Sequence, residues 1–259
     1  MSTILYPSPL FGPVSSRRLG VSLGINLLPG DGKICSFDCI YCECGFNADR
    51  RPKQKFPSRD KVRIALNDLL VDMKREGVEP DALTFAGNGE PTMHPQFASI
   101  VGDVIEIRNR VFPYAKICVL SNATQLDRPD VFEALKKLDY NIQKLDTVSP
   151  DYIKNINRPA GSYDVKNVVE RLKAFNGKVI IQTMFMKGST LDGKDAGNIS
   201  DEYVNPWLDT IKYIGPESVM IYTLDRETPA EGLMKASPKE MESIRKRVVS
   251  LGIKCTVSY

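Results

Sequence analysis

Seven short apolar runs alternate with six longer segments of helical character, and this alternation restricts the fold more than any other feature of the chain. The runs cover 21–28, 82–86, 116–120, 140–145, 178–186, 218–224 and 253–258, each of strand length. Helices are predicted between them, over 59–76, 95–110, 129–138, 164–176, 201–214 and 238–251. In the first, Val62, Leu66, Leu69, Leu70 and Met73 follow a 3.6-residue period after a capping Ser58. A strand–helix unit repeated about six times implies an α/β fold, a parallel sheet with right-handed crossovers. The 259 residues, 42% of them hydrophobic, suit one large domain over 1–259, since no linker or shift of composition divides them. Residues 1–20, rich in Pro, Gly and Ser from Tyr6 onward, read as an irregular lead-in.

The first strand runs directly into Cys35-Ser-Phe-Asp-Cys39-Ile-Tyr-Cys42, within a loop over 29–57. Three of six cysteines fall in eight residues, so they read as metal ligands and not as a disulfide framework. A structural zinc normally takes four protein ligands, and an iron–sulfur cubane usually takes four cysteines. Three thiolates therefore leave a position open for a small molecule. Their place after a strand is the C-terminal mouth, where α/β folds put their chemistry. No apolar run approaches membrane-spanning length and no leader pattern opens the chain, so a cytoplasmic location and no membrane partner are expected. A net charge of +3 does not by itself imply a nucleic-acid ligand.

Other strand ends carry polar groups. Gly87-Asn88-Gly89-Glu90-Pro91 follows the second strand; its glycines permit close backbone approach and Glu90 is an anionic acceptor. The only histidine, His94, reads as a helix-entry residue bonding to backbone. Ser121 and Asn122 end the third strand, either as turn formers or as ligand contacts. Lys144 and Asp146 share one face at the end of the fourth: facing inward they meet a ligand, facing outward they form a surface pair. Gln182, Met184 and Met186 share a face of the fifth strand, and Tyr222, Asp225 and Arg226 close the sixth. The basic stretch 47–63 reads as a solvated loop entering a helix, or as a flap engaging an anion.

The Cys35–Cys42 spacing, with Tyr41 before the last cysteine, resembles the signature of the radical S-adenosylmethionine (radical SAM) superfamily. The resemblance implies a partial (βα)6 TIM-like barrel. It also implies one 4Fe-4S cluster on Cys35, Cys39 and Cys42, with S-adenosylmethionine on the remaining iron. Reductive cleavage would yield a 5′-deoxyadenosyl radical that abstracts hydrogen from a substrate. Asn88-Gly89-Glu90 is similar to the family's glycine-glycine-glutamate motif with Asn88 in place of the first glycine; Gly87 precedes it. Glu90 would then hold the cofactor's amino group and the backbone near Tyr41 its adenine. Ser121, Asn122, Lys144 and Asp146 are candidates for its ribose and carboxylate.

Further stretches, including Ser16-Arg17-Arg18-Leu19-Gly20, Asn157-Arg158-Pro159 and Ile221–Arg226, look like small members related to the wybutosine (tRNA wyosine) branch. No cysteine precedes Cys35, so the second cluster of wyosine-forming enzymes is not expected. A low-potential electron donor such as flavodoxin or ferredoxin is implied. The substrate reading is a nucleotide or tRNA. The alternatives are a glycyl-radical-type activating enzyme acting on a partner protein, and a non-catalytic metal- or cluster-binding module.

Overall fold

The computed structural model describes residues 4–16, 20–190 and 192–259. Arg17, Arg18 and Leu19, part of one motif above, lie outside them. The strands are β1 (Leu10–Ser16), β2 (Gly20–Ile25), β3 (Ala82–Phe85), β4 (Lys116–Ser121), β5 (Tyr140–Lys144), β6 (Ile180–Met184), β7 (Met186–Gly188), β8 (Ser218–Tyr222), β9 (Leu233–Lys235) and β10 (Lys254–Ser258). The main sheet has the order β1-β2-β3-β4-β5-β6-β8-β10, with β7 and β9 forming a separate ribbon. From β2 onward every pairing in the main sheet is parallel. Helices α1 (Arg59–Arg75), α2 (Phe97–Val111), α3 (Pro129–Leu135), α5 (Val165–Lys173), α6 (Asp201–Ile214) and α7 (Pro238–Ser250) return the chain between strands, and a single turn, α4 (Pro150–Tyr152), lies after β5. Neighbours in sequence are neighbours in the sheet, so the strands wind in one direction into an open barrel with β1 and β10 at its free edges. This is the α/β partial TIM-like barrel that the alternation and the resemblance together imply.

Period-2 alternation divides each strand between two surroundings. Leu23, Ile25, Leu83, Phe85, Ile117, Val119, Ile181 and Val219 face the helices and join the main core. Against them α1 lays Val62, Leu66, Leu70 and Met73, one stripe of a helix capped by Ser58, whose side chain accepts from the Lys61 N–H. Arg59 of α1 forks onto Asp103 of α2 at 2.6 and 2.7 Å, tying the two helices.

Two expectations are corrected. The irregular lead-in contains β1, which pairs antiparallel with β2 and shifts register between Phe11 and Val14. Gly12-Pro13 sits in that break; proline cannot donate to a ladder and is tolerated at an edge or bulge, so its composition hid a strand. The run 178–186 is also two elements. β6 stops at Met184, and Met186 belongs to β7, which pairs with β9. Met186 packs in the same small cluster as Met184 but does not line the cavity with Gln182 and Met184.

Candidate active site

The cysteine loop is held by two seams. On one side Ile34 pairs with Gly89 as a single parallel bridge, through Ile34 N–H to Asn88 O at 3.0 Å and Glu90 N–H to Ile34 O at 3.2 Å. A Cβ on Gly89, whose φ is +129°, would lie 1.9 Å from Ile34 O and 3.2 Å from Cys35 Cβ. Only glycine lets the two backbones meet there. On the other side Asp38 N–H donates to the carbonyls of Asn157 and Arg158, both at 3.0 Å, and Ile40 N–H to Ile156 O at 3.0 Å. Arg158 sits in the left-handed region with φ +51° at the end of a π-helical turn, Ile153–Asn157.

Cys35, Cys39 and Cys42 line one cavity of about 390 Å³ inside the barrel. The inward residues Ser22, Thr84, Leu120, Gln182, Met184 and Tyr222 line it with them. Asn122 Nδ2 reaches Cys35 Sγ at 3.6 Å and Asn157 Nδ2 reaches Cys39 Sγ at 3.7 Å. Lys33, 2% exposed, extends between the loop and its closing turn, donating to Gly45 O at 2.6 Å. Burial pulls its pKa down, but the fields of Cys42, Cys35, Cys39 and Asp38 outweigh that and leave it raised. Burial pushes the Cys35 and Cys39 thiols up. The Cys44 thiol, with Lys33, holds Cys42 down at about 6. A buried cation and amide donors directed at these sulfurs favour the thiolate form, Cys42 already ionising more easily than a free cysteine. Metal binding would displace the protons that burial keeps on Cys35 and Cys39; the donor set suits a soft, thiolate-bridged centre. Among the described residues no three metal-ligating side chains close around a single ion. A cubane differs in this respect, because it spreads its cysteines over separate irons.

Glu90 lies against the same cavity, 2% exposed. One carboxylate oxygen accepts from Thr92 N–H at 3.0 Å and from its hydroxyl, the other from Asn122 N–H at 2.6 Å. Burial raises its pKa against those hydrogen bonds. Ser121 and Asn122 both line the cavity, and Asn122 also binds Ser36 Oγ at 2.9 Å. Gly87 and Gly89 are cavity-lining backbone. Asn88 is different. Its side chain accepts Tyr6 N–H at 2.8 Å and donates to Tyr6 O and Pro29 O, both at 2.9 Å. It is turned to the lead-in and not to the cavity.

Lys144 faces inward, because Leu145 packs in the helix-facing core. Its Nζ donates to Tyr222 Oη at 3.0 Å, stands 3.6 Å from Asp146, and lies 4.7 Å from the Tyr41 ring centre. Burial opposes its charge, yet Asp146, Tyr222 and Cys39 raise its pKa. Asp146 accepts from the Tyr41 hydroxyl, from Asn157 Nδ2 at 2.9 Å and from Met184 N–H at 2.9 Å. Tyr41 is therefore anchored by its side chain, with its backbone on the cavity loop.

Other candidates lie apart. His94 accepts Gln96 N–H at its Nδ1 and donates from Nε2 to Pro57 O at 2.9 Å, a backbone-fixing role. Arg226 pairs with Glu43 at 2.6 Å, and Lys235 reaches Asp225 at 3.4 Å, both at the surface. Sequence reading left Lys33 and Asn157 out of the site. The partners of Asn157 come from other elements, Cys39, Tyr41 and Asp146. Lys33 bonds within its own loop, but a single lysine there has no pattern that sets it apart from a solvated one.

A family model for the Radical SAM superfamily matches residues 31–196. The chain belongs to that superfamily. It is a radical SAM enzyme that cleaves S-adenosylmethionine, and its cofactors are that molecule and a 4Fe-4S cluster. A UPF0026 protein of Methanocaldococcus jannaschii is 30% identical over 91% of this chain and 68% of its own length. A Brachyspira hyodysenteriae protein named GTPase Obg is 28% identical over 92% of this chain, which spans 33% of that relative. In fold, the chain is similar to a radical SAM methyltransferase from Sphaerobacter thermophilus, with a TM-score of 0.66, 12% identity, and 92% and 66% of the two chains covered. It is also similar to TYW1 with a lysine-pyruvate adduct bound, with a TM-score of 0.60, 13% identity, and 88% and 73% covered. No described helix is long and apolar enough to cross a membrane.

Proposed function

We propose that Cys35, Cys39 and Cys42 hold the 4Fe-4S cluster, and that the cavity behind them seats S-adenosylmethionine for hydrogen abstraction from a substrate of nucleotide or tRNA type. The observation that carries this reading is the convergence of three thiols, one buried and two half-buried, and of buried Glu90 on one cavity at the C-terminal ends of parallel strands. When bound, the cluster supplies the electron that breaks the sulfonium C–S bond. The chain's own groups do the rest.

Glu90, fixed by Thr92 and the Asn122 N–H, faces an ammonium without moving. Gly87 and Gly89 let backbone carbonyls approach the same group, in the place the resemblance gave to Asn88. Lys144 offers a half-buried cation to a carboxylate, and Ser121 and Asn122 offer hydroxyl and amide groups to a ribose. Asp146 acts one step back: it holds Tyr41 and Asn157, and through them the cysteine loop. The gap between β1 and β10 is the proposed approach for the substrate, beside Tyr6, Phe11 and Tyr222.

Anaerobic reconstitution tests this. The account expects about four irons and four sulfides per chain and 5′-deoxyadenosine on adding dithionite and S-adenosylmethionine. A Glu90→Gln variant should keep its iron and lose S-adenosylmethionine affinity. Stoichiometric zinc without cleavage is the opposite result.

A further inference from the structure

We infer that the basic segment 46–57 is the docking surface for an acidic electron-donor protein, placed against the outer wall of the cysteine loop. The inference rests on the reading that Cys35, Cys39 and Cys42 carry the cluster. Within this segment Arg50, Arg51, Lys53 and Lys55 stand against the single carboxylate of Asp49, a net +3 in twelve residues. All four cations are exposed and none lies within ion-pair distance of a carboxylate among the described residues. Elsewhere on the surface Arg59, Arg75, Arg128, Arg171, Arg245 and Arg247 each meet one within 3 Å. Other exposed cations without an ion pair among the described residues, such as Lys61, Lys137 and Lys178, stand singly, whereas this segment gathers four between Arg50 and Lys55. Asp31, outside the segment, accepts from the Lys53 and Gln54 N–H groups at 3.0 and 3.2 Å and offsets part of this charge. The excess of like charge that remains is self-repelling and is relieved by a negatively charged partner.

The placement of the segment gives the patch its role. No residue of 47–57 lines the barrel cavity. Instead the segment backs the loop. Asn47 Nδ2 donates to the carbonyls of Cys35 and Phe37, both at 3.1 Å, and Lys33 N–H donates to Arg50 O at 3.0 Å. A shallow outer cavity of about 390 Å³ lies over this contact, lined by Asp38, Asn47, Arg51, Arg158 and Pro159. The main chain of one thiol residue is thus a single hydrogen bond from the outer wall. The barrel side is taken up by cofactor and substrate. An electron needs proximity and not entry, so a donor seated on the outer wall can reduce the cluster without entering the cavity. In that step the donor loses one electron, the cluster's charge falls by one, and no protein bond changes.

A nucleic acid suits the patch less well. Its two aromatic rings are engaged: Phe46 lies under Arg158 at 5.0 Å, and Phe56 packs on His94 at 5.4 Å. No exposed ring remains in the segment for base stacking. A strand held here would also present its bases to the side of the loop away from the cavity.

The test uses the cluster-loaded chain and flavodoxin, with binding read by calorimetry. The variants are a four-fold Arg50, Arg51, Lys53, Lys55→Gln and the corresponding four-fold →Glu. Affinity should fall at least ~10-fold in the first and below detection in the second, with the wild-type Kd weakening steeply with salt. Flavodoxin-driven 5′-deoxyadenosine formation should fall in parallel, while the dithionite-driven rate stays within about two-fold, as expected for side chains remote from the cavity. Unchanged flavodoxin binding in the →Glu variant overturns the inference. So does an equal loss with both reductants, or a loss confined to tRNA retention in a gel shift. Absence of dithionite-driven cleavage in the wild type would instead count against the proposed function, and the binding arm would still decide the docking surface.

Discussion

The two faces of the same strands have opposite characters. Toward the helices, Leu23, Leu83, Phe85, Ile117, Ile181 and Val219 are apolar and almost wholly buried. One residue away, Ser22, Thr84, Gln182, Met184 and Tyr222 line a cavity with thiols, amides and a half-buried lysine. The outer face buries area for stability, at ~25 cal/mol per Å² of apolar surface. The inner face leaves volume unfilled and keeps charged groups in it, so it sacrifices packing for chemistry. Substitutions on the two faces should therefore fail in different ways.

The largest effect belongs inside. Cys39→Ala should hold no stable cluster and form 5′-deoxyadenosine only at background, while the midpoint of thermal unfolding of the cluster-free chain moves by a few degrees at most, about what ~1 kcal/mol produces. Iron analysis and calorimetry read both; a large fall in the midpoint would blur the distinction between faces. Next comes the outer face. Phe85, packed edge-on to Phe97 at 5.5 Å, should cost ~3–5 kcal/mol on truncation to alanine. Urea unfolding measures it, and the fraction still folded should bind S-adenosylmethionine as the wild type does.

Asn88 lies between the two categories. Asn88→Gly restores the family's residue but removes the amide that ties Tyr6 and Pro29. A loss of ~1–3 kcal/mol in stability is expected, with little change in cofactor affinity. A ten-fold change in that affinity would return Asn88 to the cofactor site. The smallest effect is at the ion pair between α1 and α2. Arg59 holds the Asp103 carboxyl below its usual range, so the pair stabilises above the unfolded carboxyl pKa and loses that stabilisation as pH falls through the folded one. Asp103→Asn should be only slightly destabilised at neutral pH, because solvent reaches the half-exposed Arg59 and screens the pair. The difference from wild type should vanish in acid unfolding curves.

Regular periodicity made the outer face legible from sequence. Val62, Leu66, Leu70 and Met73 state one helix face without knowledge of any partner. The cysteine loop and Gly89-Glu90 were legible for a different reason: their chemistry is written in consecutive residues. What escaped was carried by long-range contacts between loops. Asn157 reaches Cys39 across 118 residues and Asn88 reaches Tyr6 across 82; each sits in a motif visible in the sequence, but nothing in the motif says which distant residue its side chain meets. β1 escaped because its Pro13, tolerated at a bulged edge, and the prolines just before it resemble those of an irregular segment.

The central claim is that three cysteines hold a cluster with one iron left for S-adenosylmethionine. The electron paramagnetic resonance spectrum of the reduced, reconstituted protein, recorded with and without S-adenosylmethionine, tests it most directly. The account predicts a cubane signal whose g-values shift when the cofactor is added to the wild type. A signal identical in both samples, or no cubane signal at all, would contradict it.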